Sequence, residues 1–310
     1  DEECCTLVRE LPPLLKGCDM VIQKFYSNSK VALKTLPKEL LSKKVKFEDK
    51  EEILEEMKVL GMTWDAESDL YRYHSKYKDC STFFEKMGFS RDQVWTKRLI
   101  LKLSATVFDP LGLLCPFTIR SRSILQSLWT EKLDWDTPVP AQYQKDWSKW
   151  LNDMFVLSTI IKIPRWLNIT KAKRFQIHVF CDASTKAFAA CVYVRVIEEQ
   201  DSSKREKVEC HLVVAKARVT PVKAETVSRL ELAACVIGAR LGCFAARALG
   251  LNAEDNFYWT DSSNCLHWIN TTANSLKTYA SNRVGEIQTI TQIPQWRHVD
   301  TAANPADIPT

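Results

Sequence analysis

The chain has 310 residues, with 45% hydrophobic and 26% charged residues and a net charge of +5. That length allows about two domains, and the composition is that of a globular protein, which excludes disordered and collagen-like chains. No apolar run approaches the roughly 20 residues of a membrane span, and the acidic start DEECCTLVRE excludes a secretory signal.

The eleven cysteines are odd in number and contain no C-x-x-C pair. Cys181, Cys191, Cys235 and Cys265 lie inside apolar segments, where a thiol behaves as a small hydrophobe. A reduced, intracellular protein is the expectation. The positive excess is mild and evenly spread, so it permits nucleic-acid binding without demanding it.

In chain order, the first segment predicts a short helix broken at Pro12 and Pro13. KVLGMTW (58–64) and YRYHSKY (71–77) read as strands around the turn-rich DAESD. A helical region from about Thr96 to Met154 is interrupted at FDPLGLLCPF (108–117) and DWDTPVP (134–140), and KIPRWLN (162–168) reads as a linker. These features place a domain boundary near 170.

Beyond it the pattern changes. FQIHVFCD (175–182), AACVYVRV (189–196) and ECHLVVAKARV (209–219) predict three strands, the last two joined by a charged loop at 198–207. A long helix follows over about 224–249, its apolar stripe running through Val227, Leu230, Ala234, Ile237, Leu241, Phe244 and Ala248. Gly250 is its predicted stop. NFYWTD (256–261) predicts a fourth strand, SNCLHWI (263–269) and LKTYASNRVGEIQTI (276–290) two helices, and QWRHVD (295–300) a fifth strand. NPADIPT opens a last helix. The fold class is α/β, with a five-stranded mixed sheet and flanking helices.

Four acids fall where this pattern converges on one sheet edge: Asp182 and Asp261 at strand ends, Glu231 on the crossing helix, and Asp307 at the start of the last helix. Ligands bind beyond strand ends in α/β sheets. Four carboxylates there can hold two Mg²⁺ ions about 3.5–4 Å apart, the arrangement that cuts phosphodiesters by in-line displacement. Singly, each has a plainer reading: Asp261 as a helix cap, Asp307 as a first-turn carboxylate, Glu231 as a solvated helix residue. Lys97, Arg98, Lys102, Arg120 and Arg122 form either a phosphate-contacting face or a solvated one, and Lys216 is a further basic candidate. Trp268 and Trp296 read as core.

The segments FCDAS, AKARVTP, SRLELAA, YWTDSS and WRHVDTAANPAD resemble the ribonuclease H domain of BEL/Pao-class LTR retrotransposon polyproteins, a sequence family that also carries a peptidase label. Upstream, SNSKVALKTLP, KVLGMTWDAESD, TKRLILKLSATVFDPLGLLCPFTIRSR and LWTEKLDWDTPVP resemble the region between polymerase palm and ribonuclease H in the same elements. The resemblance covers nearly the whole chain. It implies a ribonuclease H-like domain over 170–310, truncated at its last helix, preceded over 1–169 by a palm edge, thumb and connection. It implies cleavage of the RNA strand of RNA–DNA hybrids with Mg²⁺ (Mn²⁺ substituting), and carries the four acidic roles onto Asp182, Glu231, Asp261 and Asp307. It suggests His298 as an auxiliary residue, although its surroundings match the family poorly. It further implies an upstream polymerase and a downstream integrase as partners, no membrane, and a place in a cytoplasmic virus-like particle or the nucleus. No Y-x-D-D motif occurs, so no DNA synthesis is expected from this chain alone. The alternatives are an aspartic peptidase, for which CDAS and TDSS are only distant approximations to a D-[ST]-G loop, and a non-catalytic domesticated nucleic-acid-binding module.

Overall fold

The computed structural model describes residues 1–22, 24–43, 45–47, 52–54, 57–59, 62–73, 80–90, 93–169, 174–199 and 206–310. The chain divides into two compact units: Asp1–Lys76 with Leu157–Trp166, and Tyr77–Val156 with Leu167–Thr310. The division departs from a single boundary near 170, because the helices before that point belong with the sheet that follows it.

The first unit holds α1 (Glu2–Lys16), α2 (Lys30–Lys34) and six short strands: β1 (Val45–Phe47), β2 (Glu52–Leu54), β3 (Met57–Val59), β4 (Met62–Asp65), β5 (Leu70–Arg72) and β6 (Lys162–Pro164). Contrary to the sequence expectation, α1 runs through Pro12 and Pro13. Proline φ is already helical, so the cost there is two lost backbone donors rather than a break. KVLGMTW is not one strand: Val59 pairs with Met62, which makes β3 and β4 a tight antiparallel pair. Residues 74–77 of the next predicted strand lie outside the described residues. KIPRWLN is no linker either. Its first residues form β6, pairing with β5 through Tyr71↔Ile163 and completing a four-stranded sheet in the order β3-β4-β5-β6. Arg165 closes that edge with two bonds to Asp69, at 2.5 and 3.0 Å.

The second unit begins with α3 (Cys80–Met87), α4 (Lys97–Ser104), α5 (Cys115–Thr130) and α6 (Ala141–Ile160), whose last turn belongs to the first unit. Then come β7 (Arg174–Ala183), β8 (Ala187–Glu199), β9 (Glu206–Val219), α7 (Val227–Leu249), β10 (Phe257–Thr260), α8 (Ser263–Ile269), α9 (Thr278–Ile290) and β11 (Trp296–His298). The strands form one mixed sheet in the order β11-β10-β7-β8-β9. β7, β10 and β11 are parallel; β8 is antiparallel to both β7 and β9. The antiparallel pairing of β8 with β9 runs as far as Glu199 opposite Glu206; residues 200–205 of the charged loop lie outside the described residues.

Strand alternation sorts the two faces. Ile177, Val179, Cys181, Ala190, Val192 and Tyr258 pack under α7, α8 and α9. On the other face, Ala187, Ala189, Cys191, Ala215 and Ala217 pack against Cys115 and Ile119 of α5 and against Ala306. Trp296 is core, as expected, and Trp268 packs against it. Cys181, Cys191, Cys235 and Cys265 are buried free thiols.

α7 is the central helix and lies very close to the sheet. A Cβ on Gly242 would come within 2.8 Å of both Tyr258 Oη and Val179 Cγ2, and one on Gly238 would overlap Cys181 Sγ. The buried face therefore runs through Leu230, Ala234, Gly238, Gly242 and Ala245, while Val227 and Phe244 of the predicted stripe are exposed. Apolar periodicity located the helix but rotated its face, because contact was made by small residues rather than large ones. By length and composition alone α7 could cross a membrane, although charged residues interrupt its apolar run; much of it is buried against the sheet. It ends at Gly250 in a left-handed conformation (φ 68°), as its C-cap position requires.

α5 also clasps the edge strand β9. The loop before it bonds Ala215 N to Leu111 O at 2.8 Å, and Gly112 (φ 69°) leaves no room for a side chain against the Ala215 carbonyl. Arg122 Nη1 donates to Ala217 O at 3.2 Å, and Gln126 Nε2 donates to Thr220 O.

Candidate active site

The pairing of β10 with β7 ends at Thr260↔Cys181. The next residue on each strand is a carboxylate, so Asp261 and Asp182 lie side by side at the C-terminal end of two adjacent parallel strands. Asp182 is 7% exposed. Its Oδ2 accepts a 2.5 Å hydrogen bond from Thr310 Oγ1, and the Thr310 carbonyl accepts from Ser184 Oγ at 3.0 Å. Asp261 Oδ2 accepts from Thr301 Oγ1 at 2.8 Å, whereas its Oδ1 is buried with no hydrogen-bond partner.

Glu231 comes from the second turn of α7. Its Oε2 accepts from Ser262 Oγ at 2.6 Å. The same Ser262 oxygen caps α8 by accepting from Cys265 N at 3.2 Å, so one hydroxyl fixes both the start of α8 and the Glu231 carboxylate. Asp307 ends a 3-10 turn, Pro305–Asp307, rather than opening an α-helix, and is exposed. Asn304 pins this turn to β7 by donating to Cys181 O at 3.1 Å.

The electrostatics show that these groups share one place. Burial raises the Asp182 carboxyl above its ordinary range, against the Thr310 hydrogen bond, and the charges of Asp261 and Asp307 add to the rise. Burial likewise raises Glu231, against its bond from Ser262, with Asp261 and Asp182 contributing. Asp182 and Glu231 thus both feel the negative charge of further acids at one sheet edge. Hard oxygen donors, mutual repulsion and an orphaned buried oxygen on Asp261 suit a divalent cation such as Mg²⁺. Among the described residues, no group of three or more acidic, histidine or cysteine side chains stands gathered at ion-binding spacing as it is.

The other candidates go elsewhere. His298 is exposed at the end of β11, paired with Thr260 and so near Asp261. The proposed basic face of α4 and α5 is largely committed to intramolecular contacts. Lys97 is 3% exposed, its Nζ bonded to Leu133 O and 4.0 Å above the Trp129 ring. Arg98 grips Asp136 at 2.7 and 2.9 Å, Arg120 pairs with Asp153 at 2.8 Å, and Arg122 holds β9. Their polar heads were spent on fixing helices and loops, which a sequence does not display. Lys102 and Lys216 are exposed. Sequence reasoning missed the hydroxyl partners Ser262, Thr301 and Thr310; Ser262 was visible only as one of two serines following Asp261.

A mixed five-stranded sheet with its second strand antiparallel, crossed by one long helix and carrying acids at the ends of its first and fourth strands, is a ribonuclease H-like domain. Residues 96–262 match the family described as Pao retrotransposon-like RNaseH-like domain, and the chain belongs to that family. Among solved structures it is similar to the N-terminal RNase H domain of Rv2228c from Mycobacterium tuberculosis, fused to maltose binding protein (12% identity, TM-score 0.27, 42% of this chain and 86% of that one). It is also similar to RNase H1 from the halophilic archaeon Halobacterium salinarum NRC-1 (13% identity, TM-score 0.25, 43% of this chain and 90% of that one). No curated protein sequence matches it.

Proposed function

We propose that this chain is a retroelement ribonuclease H that hydrolyses the RNA strand of RNA–DNA hybrids with Mg²⁺, Mn²⁺ being able to replace it. One observation carries the reading: Asp182 and Asp261 end adjacent parallel strands, and Glu231 and Asp307 add their charges to the same edge. Asp182, Glu231, Asp261 and Asp307 would hold the metal. Two bound Mg²⁺ ions supply stabilisation of the attacking and leaving oxygens in an in-line displacement. The chain's own part is to keep the oxygens in place: Thr310 fixes Asp182, Ser262 fixes Glu231, Thr301 fixes Asp261, and the free Oδ1 of Asp261 is left to face a cation. An aspartic peptidase needs only two carboxylates sharing a proton and would leave the others without a task. Residues 1–169 fit the palm edge, thumb and connection of a reverse transcriptase, with polymerase and integrase segments as neighbours in a polyprotein.

The test is cleavage of a labelled RNA–DNA hybrid by pure protein in Mg²⁺, with single-stranded RNA spared because the A-form-like groove and 2′-hydroxyls of the hybrid are what is read. Asp182→Asn and Asp261→Asn should abolish cutting while leaving the fold and hybrid binding intact. Glu231→Gln should be severely impaired and the exposed Asp307→Asn less so. Equal activity in wild type and Asp182→Asn would overturn the assignment.

A further inference from the structure

Charge on the β8–β9 hairpin is distributed unevenly. Its far end mixes signs: Arg195 is held by Gln176 at 2.8 Å, and Lys207 pairs with Glu209 at 2.9 Å. The end beside the carboxylates is different. Lys186, Lys216, Arg218 and Lys223 are all exposed there, and none makes an ion pair among the described residues.

The backbone places these four together. Arg218 lies opposite Phe188 and Lys216 opposite Ala190, and both partners belong to the face under α7. The two cations therefore leave the sheet on that same face, two residues and roughly 7 Å apart along the strand. Lys186 sits in the turn that leads from β7 to β8, four residues after Asp182, and its carbonyl accepts from Thr220 N at 3.0 Å, just past the end of β9. Lys223 follows three residues later, in the loop that enters α7 four residues before Val227 and thus delivers Glu231. The one acid in this stretch, Glu225, is engaged with Arg229 at 2.8 Å.

Lysines on an edge strand commonly protect it from pairing with other chains. That explanation is weak here, because this stretch of β9 is already covered: the Leu111 carbonyl, Arg122 and Gln126 bond it at Ala215, Ala217 and Thr220. Two of the four cations are not on β9 at all. What does lie next to them is a cluster of like-charged carboxylates, which repels phosphate and needs compensation if a nucleic acid is to rest there.

We propose that Lys186, Lys216, Arg218 and Lys223 form a phosphate-binding rim that holds the backbone of an RNA–DNA hybrid beside the carboxylate edge. The choice of hybrid as ligand rests on the nuclease reading above; the rim itself rests on charge and topology. Each phosphate contact by a basic residue contributes about one unit to the slope of log affinity against log salt.

The experiment measures binding of a labelled hybrid oligonucleotide in EDTA by fluorescence anisotropy from 50 to 200 mM salt. Replacing all four residues by glutamine should reduce the slope by about 3–4, and Arg218→Gln or Lys223→Gln alone by about 1. Arg247→Gln, which removes the same charge from the exposed last turn of α7 at the opposite end of the helix, should leave the slope nearly unchanged. In Mg²⁺ the quadruple variant should show a raised KM and a near-normal kcat. Circular dichroism checks that the surface substitutions leave the fold intact, and the single variants give the slope independently should the quadruple variant fail to fold. An unchanged slope in the single variants, or an equal fall with Arg247→Gln, overturns the rim even if the protein cleaves hybrids. Loss of binding confined to the rim variants upholds it even if no cleavage is seen, so the two readings fail separately.

Discussion

Gly238→Ala is the most informative perturbation of the scaffold that carries Glu231. In the structure the added methyl group would overlap Cys181 Sγ, while its next neighbours, Val179 Cγ1 at 3.2 Å and Ala190 Cβ at 3.7 Å, are close to ordinary contact. The clash is therefore with one buried atom. Overpacking of this kind costs about 1–3 kcal/mol, and an overlap this deep belongs at the upper end. The better helix propensity of alanine returns about 1 kcal/mol. The net expectation is a loss of about 2 kcal/mol, or roughly 4–8 °C in Tm for a domain of this size. Cys181→Ala alone should cost about 1 kcal/mol, close to the loss of one buried methylene. The double variant should be near wild type, because the new methyl group occupies the space the sulfur leaves. That is a favourable coupling of about 2–3 kcal/mol, within the range for residues in contact. Urea denaturation of the four proteins measures it. Hybrid cleavage should follow the same order, since Glu231 lies two turns upstream on the helix being pushed outward. A Gly238→Ala protein as stable as wild type, with no rescue by Cys181→Ala, would refute the close approach of α7 to β7.

His178 gives a pH prediction. Its side chain is stacked on Phe257 and Trp259, and its Nδ1 accepts from Trp259 Nε1 at 3.1 Å. Burial lowers its pKa from 6.5 to about 4, with Arg195 and Arg297 adding repulsion. The folded value lies below the unfolded one, so this contribution to stability is complete above pH 6.5 and is lost as pH falls towards 4. His178→Asn, which keeps an acceptor but does not titrate, should show a shallower fall in urea midpoint across that window; an identical pH profile would exclude His178 as its source. Ser262→Ala removes both the α8 cap and the donor to Glu231. It should cost about 1 kcal/mol of stability and lower hybrid cleavage, and Ser262→Thr should restore both. Stability lost with cleavage unaffected would show that the Glu231 bond is dispensable.

The sheet was legible because its strands and helices carry unmixed signals. FQIHVFCD and AACVYVRV are rich in β-branched and aromatic residues, and Gly250 stops a helix whose apolar period is continuous. Asp182 and Asp261 could be set side by side from the sequence because each follows a strand, and the strands prove to be parallel neighbours. The parts that could not be read depend on tertiary contact. Lys97 looks like a surface cation until Trp129 and the Leu133 carbonyl close over it. Phe244 looks like core until Gly238 and Gly242 turn the helix by bringing it against Cys181, Val179 and Tyr258. β6 is three residues long and is a strand only because β5 offers it a partner.

The packing of residues 77–156 with the sheet has the same origin and a consequence for the site. Strand alternation gives β8 and β9 a second apolar face of Ala187, Ala189, Cys191, Ala215 and Ala217, and small residues of that kind ask for a close partner. α5 supplies it with Cys115 and Ile119, while Ala306, from the turn that carries Asp307, packs into the same cluster. That helix and the last acidic turn of the chain thus rest on one another's support. The loop FDPLGLLCPF, read as a mere break in a helical region, is what docks α5: Asp109 holds the start of the helix by accepting from Leu114 N at 2.8 Å, and Leu111 bonds β9. The family match over residues 96–262 includes this loop and α5. α5 is therefore built onto the sheet in the same compact unit as α7. α7 with α8 and α9 covers one face of the sheet and carries Glu231 to its edge, and α5 braces the other face, on which the Asp307 turn is set.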